Sequence, residues 1–157
     1  MLVPLYRVND WQTAISAVRA NGVAVRPALA SERRPVVDWV ERTFHAGWAG
    51  EAEAGFSFIP TTCLVAVRDG EILGFACHDV TALGFFGPTG VSPEHRKQGI
   101  GTALLYETLN AMRMRGYAYA VIGGVGTVGF YERTTGAIPI ADSDPGIYAG
   151  LVPHRGA

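Results

Sequence analysis

One stretch of the sequence combines glycines, basic side chains and a helix start in a pattern that suits anion binding. It is VSPEHRKQGIGTALL, residues 91–105, in which Arg96 and Lys97 precede Gly99 and Gly101. Glycines let backbone N–H groups approach a ligand, and a helix start presents free N–H groups and a positive dipole end. Residues 96–101, which we call the anion cradle, are predicted to hold phosphate or pyrophosphate. A plain glycine-rich loop before a helix is the alternative.

A second glycine pattern, formed by Gly124, Gly126 and Gly129, reads G-x-G-x-x-G and is typical of a dinucleotide site. Asp142 and Asp144 follow 18 and 20 positions beyond Gly124, where such a site places its ribose-binding carboxylate. That fold puts its glycine turn early, because further βα units must follow, yet only 28 residues remain after Gly129. We therefore reject NAD binding and expect these glycines to let a tight turn pass close to another ligand.

Taken together, the two glycine-containing regions resemble a known family. Residues 91–105 follow V-x-P-x-x-R-x-x-G-x-G-x-x-L-L, similar to the acetyl-CoA signature R/Q-x-x-G-x-G/A of the GNAT acetyltransferase superfamily, and FYERTTGA (130–137) resembles its second motif. The resemblance covers residues 23 to about 150. It implies acetyl-CoA as co-substrate, with its pyrophosphate in the anion cradle and its pantetheine arm beside the strand ending at Val91. The cofactor-binding residues it implies are Thr89, Val91, Arg96, Lys97, Gln98, Gly99, Ile100, Gly101 and Thr102.

Transfer of an acetyl group to an amine needs a group that protonates the departing thiolate and a group that accepts the amine's proton. Tyr131 matches the family's tyrosine acid; the alternative is that it packs in the core beside Phe130. No ionisable residue lies in the predicted strand 83–91. His78 and Asp79 are the nearest candidates, and we take Asp79 as a possible base, although an exposed hairpin pair would also explain them. The sequence lacks the asparagine that is often found before the second motif.

The acceptor site is expected where Trp48, Glu51 and Glu53 lie between the early helices and the sheet. An aromatic ring and carboxylates suit a cationic amine; a solvated helix face is the alternative. We predict an acyltransferase that acetylates a primary amine of a small molecule or peptide by direct attack in a ternary complex. Neither Cys63 nor Cys77 has a nucleophile context, and both are expected to be buried free thiols. The alternative function is a non-catalytic CoA-binding or regulatory domain.

Composition limits the classes of partner. The chain has 157 residues, of which 48% are hydrophobic and 17% charged, and its formal net charge is −1. These values indicate one globular domain, with no basic region for nucleic acid and no apolar run for a membrane. The first residues, MLVPLYRVND, do not form a signal peptide. We therefore expect a cytoplasmic protein. We also expect that it uses no metal, and we count a homodimer among its candidate partners.

The elements that must position these residues alternate between helical and extended patterns. A helix capped by Asn9 or Asp10 and a helix capped by Ser31 come first, Asp69-Gly70 predicts a hairpin, and Gly87-Pro88 interrupts a strand. In chain order we expect a helix from residue 11, a strand over 23–29, a helix from 31, an irregular or weakly helical stretch over 45–56, the hairpin over 62–80, a strand over 83–91, a helix over 99–115, a strand over 117–123, a helix over 128–135, and two last strands over 137–140 and 146–152.

This order predicts an α+β fold, in which helices flank a mixed, largely antiparallel central sheet. The family resemblance implies the GNAT-like version of that fold, with the strands 83–91 and 117–123 splayed apart to admit the thioester. We divide the chain into an N-terminal strand-and-helix extension, residues 1–22, and a GNAT-like domain, residues 23–157.

Overall fold

The computed structural model describes residues 1–9 and 11–152, and within them six strands form one mixed sheet. The strands lie in the order β1-β6-β5-β4-β3-β2, and every neighbouring pair is antiparallel except β5 and β6. This confirms the predicted fold class. The strands are β1 (Leu2–Pro4), β2 (Ala24–Pro27), β3 (Cys63–Arg68), β4 (Glu71–His78), β5 (Phe85–Val91) and β6 (Tyr119–Ile122).

Helices cover both faces of the sheet because each carries apolar residues at helical spacing. On one face, α4 and α1 bury a core that includes Leu104, Leu109 and Val18; on the other, α2 and α3 pack around Phe75. The stretch 45–56 is a regular helix rather than a weak one. The helices are α1 (Trp11–Ala20), α2 (Arg33–Thr43), α3 (Ala46–Gly55), α4 (Ile100–Met114) and α5 (Val128–Thr135).

The predicted splay between β5 and β6 is present. The two strands pair only at Phe85–Val121 and Phe86–Ile122 and then diverge. At the same point Gly87 and Pro88 of β5 lie opposite the single Cys77 of β4, so β5 carries a bulge. Because a bulge bends its strand, β5 turns away from β6 at the place where the resemblance requires an opening.

Two tight turns follow their sequence signals. The hairpin between β3 and β4 uses Asp69 and Gly70, with φ angles of 51° and 81°, and joins the paired residues Arg68 and Glu71. Positive φ at both central residues is the type I′ geometry that the sequence Asp-Gly favours. Helix α5 ends at Thr135, and the next residue, Gly136, has a φ of 66° and supplies the left-handed residue common at helix ends.

The two strands predicted at the end of the described chain are wrong. Residues 137–140 make one isolated bridge, through Ile138, and residues 146–152 form a 3-10 turn followed by irregular chain. The φ angles of Gly146 and Gly150 are 57° and 74°. Such left-handed backbone interrupts the extended conformation that a strand needs.

The predicted cap at Ser31 is also wrong. Ser31 lies in a 3-10 turn, and α2 begins two residues later, after Glu32. The carboxylate of Glu32 accepts a hydrogen bond from the N–H of Leu29 (2.7 Å) and pairs with Arg26 (2.6 Å), so this acid fixes the turn. At the start of α1, the predicted cap Asp10 lies outside the described residues, and the helix begins at Trp11.

Residues 1–22 contribute to the same sheet and core as the rest of the chain. Strand β1 pairs with β6, and Val3, Leu5 and Val18 are buried among the α4 side chains. The division of the chain at residue 22 stays a prediction about domain extent.

Candidate active site

The anion cradle lies between the end of β5 and the start of α4. Lys97 and Gly99 have positive φ angles of 62° and 80°, which turn the backbone sharply before the helix. In the part of the chain that the structure describes, no N–H group of residues 97–102 donates to a backbone carbonyl. The Nε of Arg96 donates to the carbonyl of Val91 (3.2 Å), which ties the loop to the strand end. Free N–H groups at the start of a helix are suited to anion binding, and α4 has 15 residues.

One cradle residue anchors the loop in the core: Ile100, the first residue of α4, is buried. A Cβ added at Gly101 would lie 3.6 Å from Cγ2 of Val91, an ordinary contact distance. Gly99 is the stricter position, because its left-handed φ suits glycine alone at low cost. The structure therefore brings the predicted residues 96–102 together as one contiguous backbone surface.

A second predicted feature, the strand for the pantetheine arm, is β5. Thr89 and Val91 pair with Ala76 and Gly74 of β4, and the Thr89 hydroxyl donates to the carbonyl of Phe75 (3.1 Å). On the opposite side this half of β5 has no partner strand among the described residues, because β6 has already diverged. Its outer edge is therefore open to an extended ligand.

A cavity of about 320 Å³ opens where β5 and β6 diverge; we call it the splay cavity. It receives side chains or backbone from α3, β5, β6, the turn before α5, α5 itself and the segment after residue 140. Its lining residues are Trp48, Glu51, Thr81, Phe86, Gly87, Pro88, Thr89, Ile122, Gly123, Gly124, Gly126, Thr127, Tyr131 and Tyr148. The predicted residues Trp48, Glu51, Thr89 and Tyr131 thus meet in one space.

Tyr131 lies on α5 with only 9% of its surface exposed. Its ring packs edge-on against Phe86 and Phe130, with centroid distances of 6.2 and 5.1 Å. No described residue forms a hydrogen bond with its hydroxyl. Burial raises the pKa of Tyr131 above its ordinary value of 10.0, so the phenol holds its proton throughout the neutral range. A buried, protonated hydroxyl in a cavity can serve as a proton donor.

Glu51 and Trp48 reach the splay cavity from α3, where their spacing of three residues places them on one helix face. Trp48 is anchored by Phe44 and Phe75, at ring centroid distances of 5.1 and 6.1 Å. The Thr81 hydroxyl donates to Oε1 of Glu51, which orients the carboxylate. The arrangement presents a negative charge beside an aromatic ring. Glu53 differs, because its carboxylate pairs with Arg33 on the surface (2.7 Å).

Tyr148 is a cavity residue that the sequence reasoning missed. Its ring lies over Gly123, where an added Cβ would be 2.8 and 2.9 Å from two ring carbons, so the contact requires glycine. Burial, and then the charge of Glu51, raise the pKa of Tyr148. Its position depends on a long-range contact between the end of β6 and the segment after Pro145, and no local sequence pattern predicts that contact.

Asp79 does not lie with these residues. Its φ of 59° turns the chain after β4, and its carboxylate accepts from the N–H of Gly84 (2.7 Å) and from Nδ1 of His78 (2.9 Å). Burial alone would raise the pKa of Asp79, but the hydrogen bonds from Gly84, His78 and Tyr117 outweigh it and lower the pKa. The geometry describes a carboxylate that closes the β4–β5 loop, away from the lining of the splay cavity.

His78 completes that buried pair. Burial lowers its pKa below the ordinary 6.5, although Asp79 opposes the effect. The ring is therefore neutral near pH 7, and Nδ1 must donate because a carboxylate only accepts. Arg115 approaches the same carboxylate at 3.9 Å.

The first two glycines of the rejected NAD pattern, Gly124 and Gly126, also border the splay cavity. Gly124 has a φ of 57°, whereas a Cβ added at Gly126 meets nothing within 4 Å. Asp142 and Asp144 are exposed beyond the last bridge of the sheet. Among the described residues there is no group of three or more His, Cys, Asp or Glu that could hold a metal ion, and no helix long and apolar enough to cross a membrane.

Comparisons with known proteins identify the family and the fold. The model of the GNAT family, described as acetyltransferases, matches residues 32–137. No curated protein matches the chain.

Solved structures share the fold at low sequence identity. The glucosamine N-acetyltransferase region of a fungal multi-domain GH3 β-N-acetylglucosaminidase has 14% identity and a TM-score of 0.71, over 85% of this chain and 19% of that one. A GNAT family acetyltransferase from Brucella melitensis, in complex with acetyl-CoA, has 23% identity and a TM-score of 0.57, over 71% and 80%. YhbS from Escherichia coli, in complex with CoA, has 22% identity and a TM-score of 0.57, over 71% and 67%.

Proposed function

This chain belongs to the GNAT acetyltransferase family, and we propose that it transfers the acetyl group of acetyl-CoA to a primary amine of a small molecule or peptide. The observation that carries the proposal is the splay cavity, where Tyr131 and Glu51 border one space beside the open edge of β5. A proton donor and a proton acceptor are both needed for this reaction, and they lie on different elements around the cavity.

The anion cradle supports the cofactor assignment. Its N–H groups and the start of α4 would hold the CoA pyrophosphate, and the outer edge of β5 would pair with the pantetheine arm. Two of the similar structures contain acetyl-CoA or CoA. When bound, the thioester supplies an electrophilic carbonyl carbon. The chain's own residues orient the thioester, exclude water from it, donate a proton to the sulfur and accept a proton from the amine.

Tyr131 is assigned as the acid. The amine nitrogen bonds to the acetyl carbon while the carbon–sulfur bond breaks, and the departing sulfur takes its proton from the Tyr131 hydroxyl. The raised pKa of Tyr131 keeps that proton available at neutral pH. Direct transfer in a ternary complex is supported by the burial of Cys63 and Cys77, neither of which lines the splay cavity.

Glu51 is assigned as the group that binds the acceptor ammonium and takes the first proton, whose loss frees the nitrogen to attack. The second proton, which the nitrogen loses on becoming an amide, replaces the one that Tyr131 gives to the sulfur. Its carboxylate is oriented by Thr81 and stands beside Trp48, whose ring face favours a cation. Asp79 was the base expected from sequence; its engagement with Gly84 and His78 favours a structural role. The cytoplasmic location and the homodimer stay predictions.

The test is release of free thiol from acetyl-CoA over a panel of primary amines that includes glucosamine, alkylamines and lysine peptides. We expect release with at least one amine, and we expect Glu51→Gln to lower kcat/KM for it by about 100-fold, the usual contribution of a general base. Glu53→Gln, two positions along the same helix, is the matched control and is expected to change kcat/KM by less than about twofold. Binding of CoA with no thiol release for any amine would instead favour the non-catalytic CoA-binding domain.

A further inference from the structure

An apolar groove of about 710 Å³ runs along β6 next to the splay cavity; we call it the edge groove. Its walls come from β5, β6, the start of α5 and the segment after residue 140. Apolar side chains dominate the lining, among them Phe85, Val121, Val125, Val128, Ile140 and Ile147. Its volume lies within the roughly 300–1,000 Å³ that is typical of small-ligand sites.

The edge groove adjoins the splay cavity. Both are bordered by Ile122, Gly123, Gly124 and Tyr148. The Tyr148 ring, seated on Gly123, stands at the boundary between the two spaces. A ligand that spans both spaces must pass Tyr148.

The groove opens on the acceptor face of the sheet. Ala120 and Ile122 point into the core under α4, so the intervening Val121 points to the opposite face, which α2 and α3 cover farther along the sheet. Glu51, on α3, is on that same face. The cradle, by contrast, leads into α4 on the other face. Position alone thus associates the groove with the acceptor rather than with CoA.

Apolar surface in the groove is left uncovered by the described chain. Val128 and Ile147 are 44% and 54% exposed, and Ile140 is 39% exposed. Contiguous exposed apolar surface beside a site marks a place where an apolar group binds. Two acidic residues border these spaces: Asp144 lines the edge groove, and Glu51 lines the splay cavity, where it shares the space with Tyr131.

We propose that the acceptor is an amphipathic amine: its ammonium group binds at Glu51 and Trp48, and an apolar body of several carbon atoms lies in the edge groove. This rests on the proposed function for the identity of the cavity as the acceptor site. Aliphatic or arylalkyl amines and peptides with an apolar residue beside the reacting amine are the matching chemical class; sugars and polyamines are not.

The test measures binding of n-propylamine, n-butylamine, n-hexylamine and n-octylamine by calorimetry in the presence of CoA. Affinity is expected to rise about two- to fourfold per added methylene, as apolar burial predicts. In Ile147→Ser and Val128→Ser the affinity loss should grow with chain length and be largest for octylamine. Ile59→Ser, a fully exposed isoleucine outside the groove, is the matched control and should keep the wild-type gradient.

Thiol release with the same amines separates this proposal from the proposed function. A binding gradient without thiol release would support the groove and remove the acetyltransferase assignment. Thiol release with a flat gradient, or no amine binding, would overturn the groove proposal. So would a gradient that follows the acyl length of the CoA thioester instead, or a dimer in sedimentation that Ile147→Ser dissociates while the amine gradient is flat. Melting temperatures of all variants identify any loss of folding.

Discussion

The anion cradle and the splay cavity are adjacent, yet the first is formed by backbone groups and the second mainly by side chains. The cradle consists of consecutive backbone N–H groups, oriented by positive φ angles at Lys97 and Gly99 and by the start of α4. The splay cavity consists of side chains that arrive from separate parts of the chain, such as Glu51, Tyr131 and Tyr148. One region depends on local conformation, and the other on tertiary packing.

This difference assigns distinct tasks to the two regions. Backbone groups recognise a phosphate in any protein, because every residue supplies an N–H and the helix supplies the field. Side chains supply what backbone cannot, namely a proton, a negative charge and an apolar wall. We therefore expect substitutions in the cradle to change cofactor affinity and substitutions in the cavity to change turnover. A cradle variant that changed turnover alone, or a cavity variant that changed cofactor affinity, would contradict this assignment of tasks.

The largest effect is expected for Tyr131→Phe. Removal of the hydroxyl should lower kcat by about 100-fold or more, the usual contribution of a positioned proton donor. Acetyl-CoA affinity should be nearly unchanged, because the ring and its contacts with Phe86 and Phe130 remain. Stopped-flow turnover and calorimetric affinity on one sample measure both. A loss of turnover below about twofold would make this tyrosine a packing residue only.

The next effect is expected for Gly99→Val, which should weaken acetyl-CoA binding about 10- to 100-fold by forcing a β-branched residue into a left-handed conformation. Gly70→Val is the matched control, because Gly70 has almost the same φ (81° against 80°) in a hairpin without a ligand. Both should lower the melting temperature, and only the first should lower affinity. Wild-type affinity should also fall with added salt. Equal affinity in both variants would remove the cradle from the cofactor site.

A smaller effect tests whether the His78–Asp79 pair belongs to the cavity or to the fold. Burial lowers the pKa of His78, so below about pH 6.5 the unfolded chain binds a proton that the folded chain does not, and stability falls as pH falls. The lowered pKa of Asp79 acts in the same direction below about pH 3.8. We expect the free energy of unfolding, measured in urea, to decrease from pH 7 to pH 5.

His78→Gln should remove part of that decrease and cost about 1–3 kcal/mol at pH 7, because it disturbs a buried hydrogen bond to Asp79. The kcat of the remaining folded enzyme should stay near wild type. A large loss of kcat at unchanged stability would return His78 and Asp79 to the active site.

The same division explains how far the sequence could predict the molecule. Helix α4 and the Asp69-Gly70 hairpin depend on neighbouring residues, and their patterns predicted them. The cradle is equally local, and its role in anion binding stays a prediction. Tyr148 and Thr81 meet Glu51 only through tertiary packing, so no local spacing marks them.

Contacts that no local pattern shows also limit the other predictions. Asp79 was predicted as a possible base because it ends a strand near the site, and that role stays a prediction; its carboxylate accepts a hydrogen bond from the N–H of Gly84. The apolar residues after 145 alternate as in a strand, yet left-handed glycines and the contact of Tyr148 with Gly123 hold them in a turn. Local sequence patterns do not predict these contacts, because the partner residues are not part of the pattern.

The smallest effect concerns Gly126, at the border of the splay cavity. Its φ is outside the left-handed region, and an added Cβ meets nothing within 4 Å, so valine fits without strain. A valine here should project into open space beside the acceptor and lower kcat/KM a few-fold, with an unchanged melting temperature. Gly123→Ala, three residues earlier, should instead displace Tyr148, and it should therefore lower both kcat/KM and the melting temperature. Asp142→Ala and Asp144→Ala should leave CoA affinity unchanged, because only the dinucleotide interpretation gives these carboxylates a cofactor to bind; Asp144 borders the edge groove instead. Loss of cofactor binding in the aspartate variants would revive the dinucleotide interpretation, and a lower melting temperature with normal kinetics for Gly126→Val would limit this glycine to forming the turn.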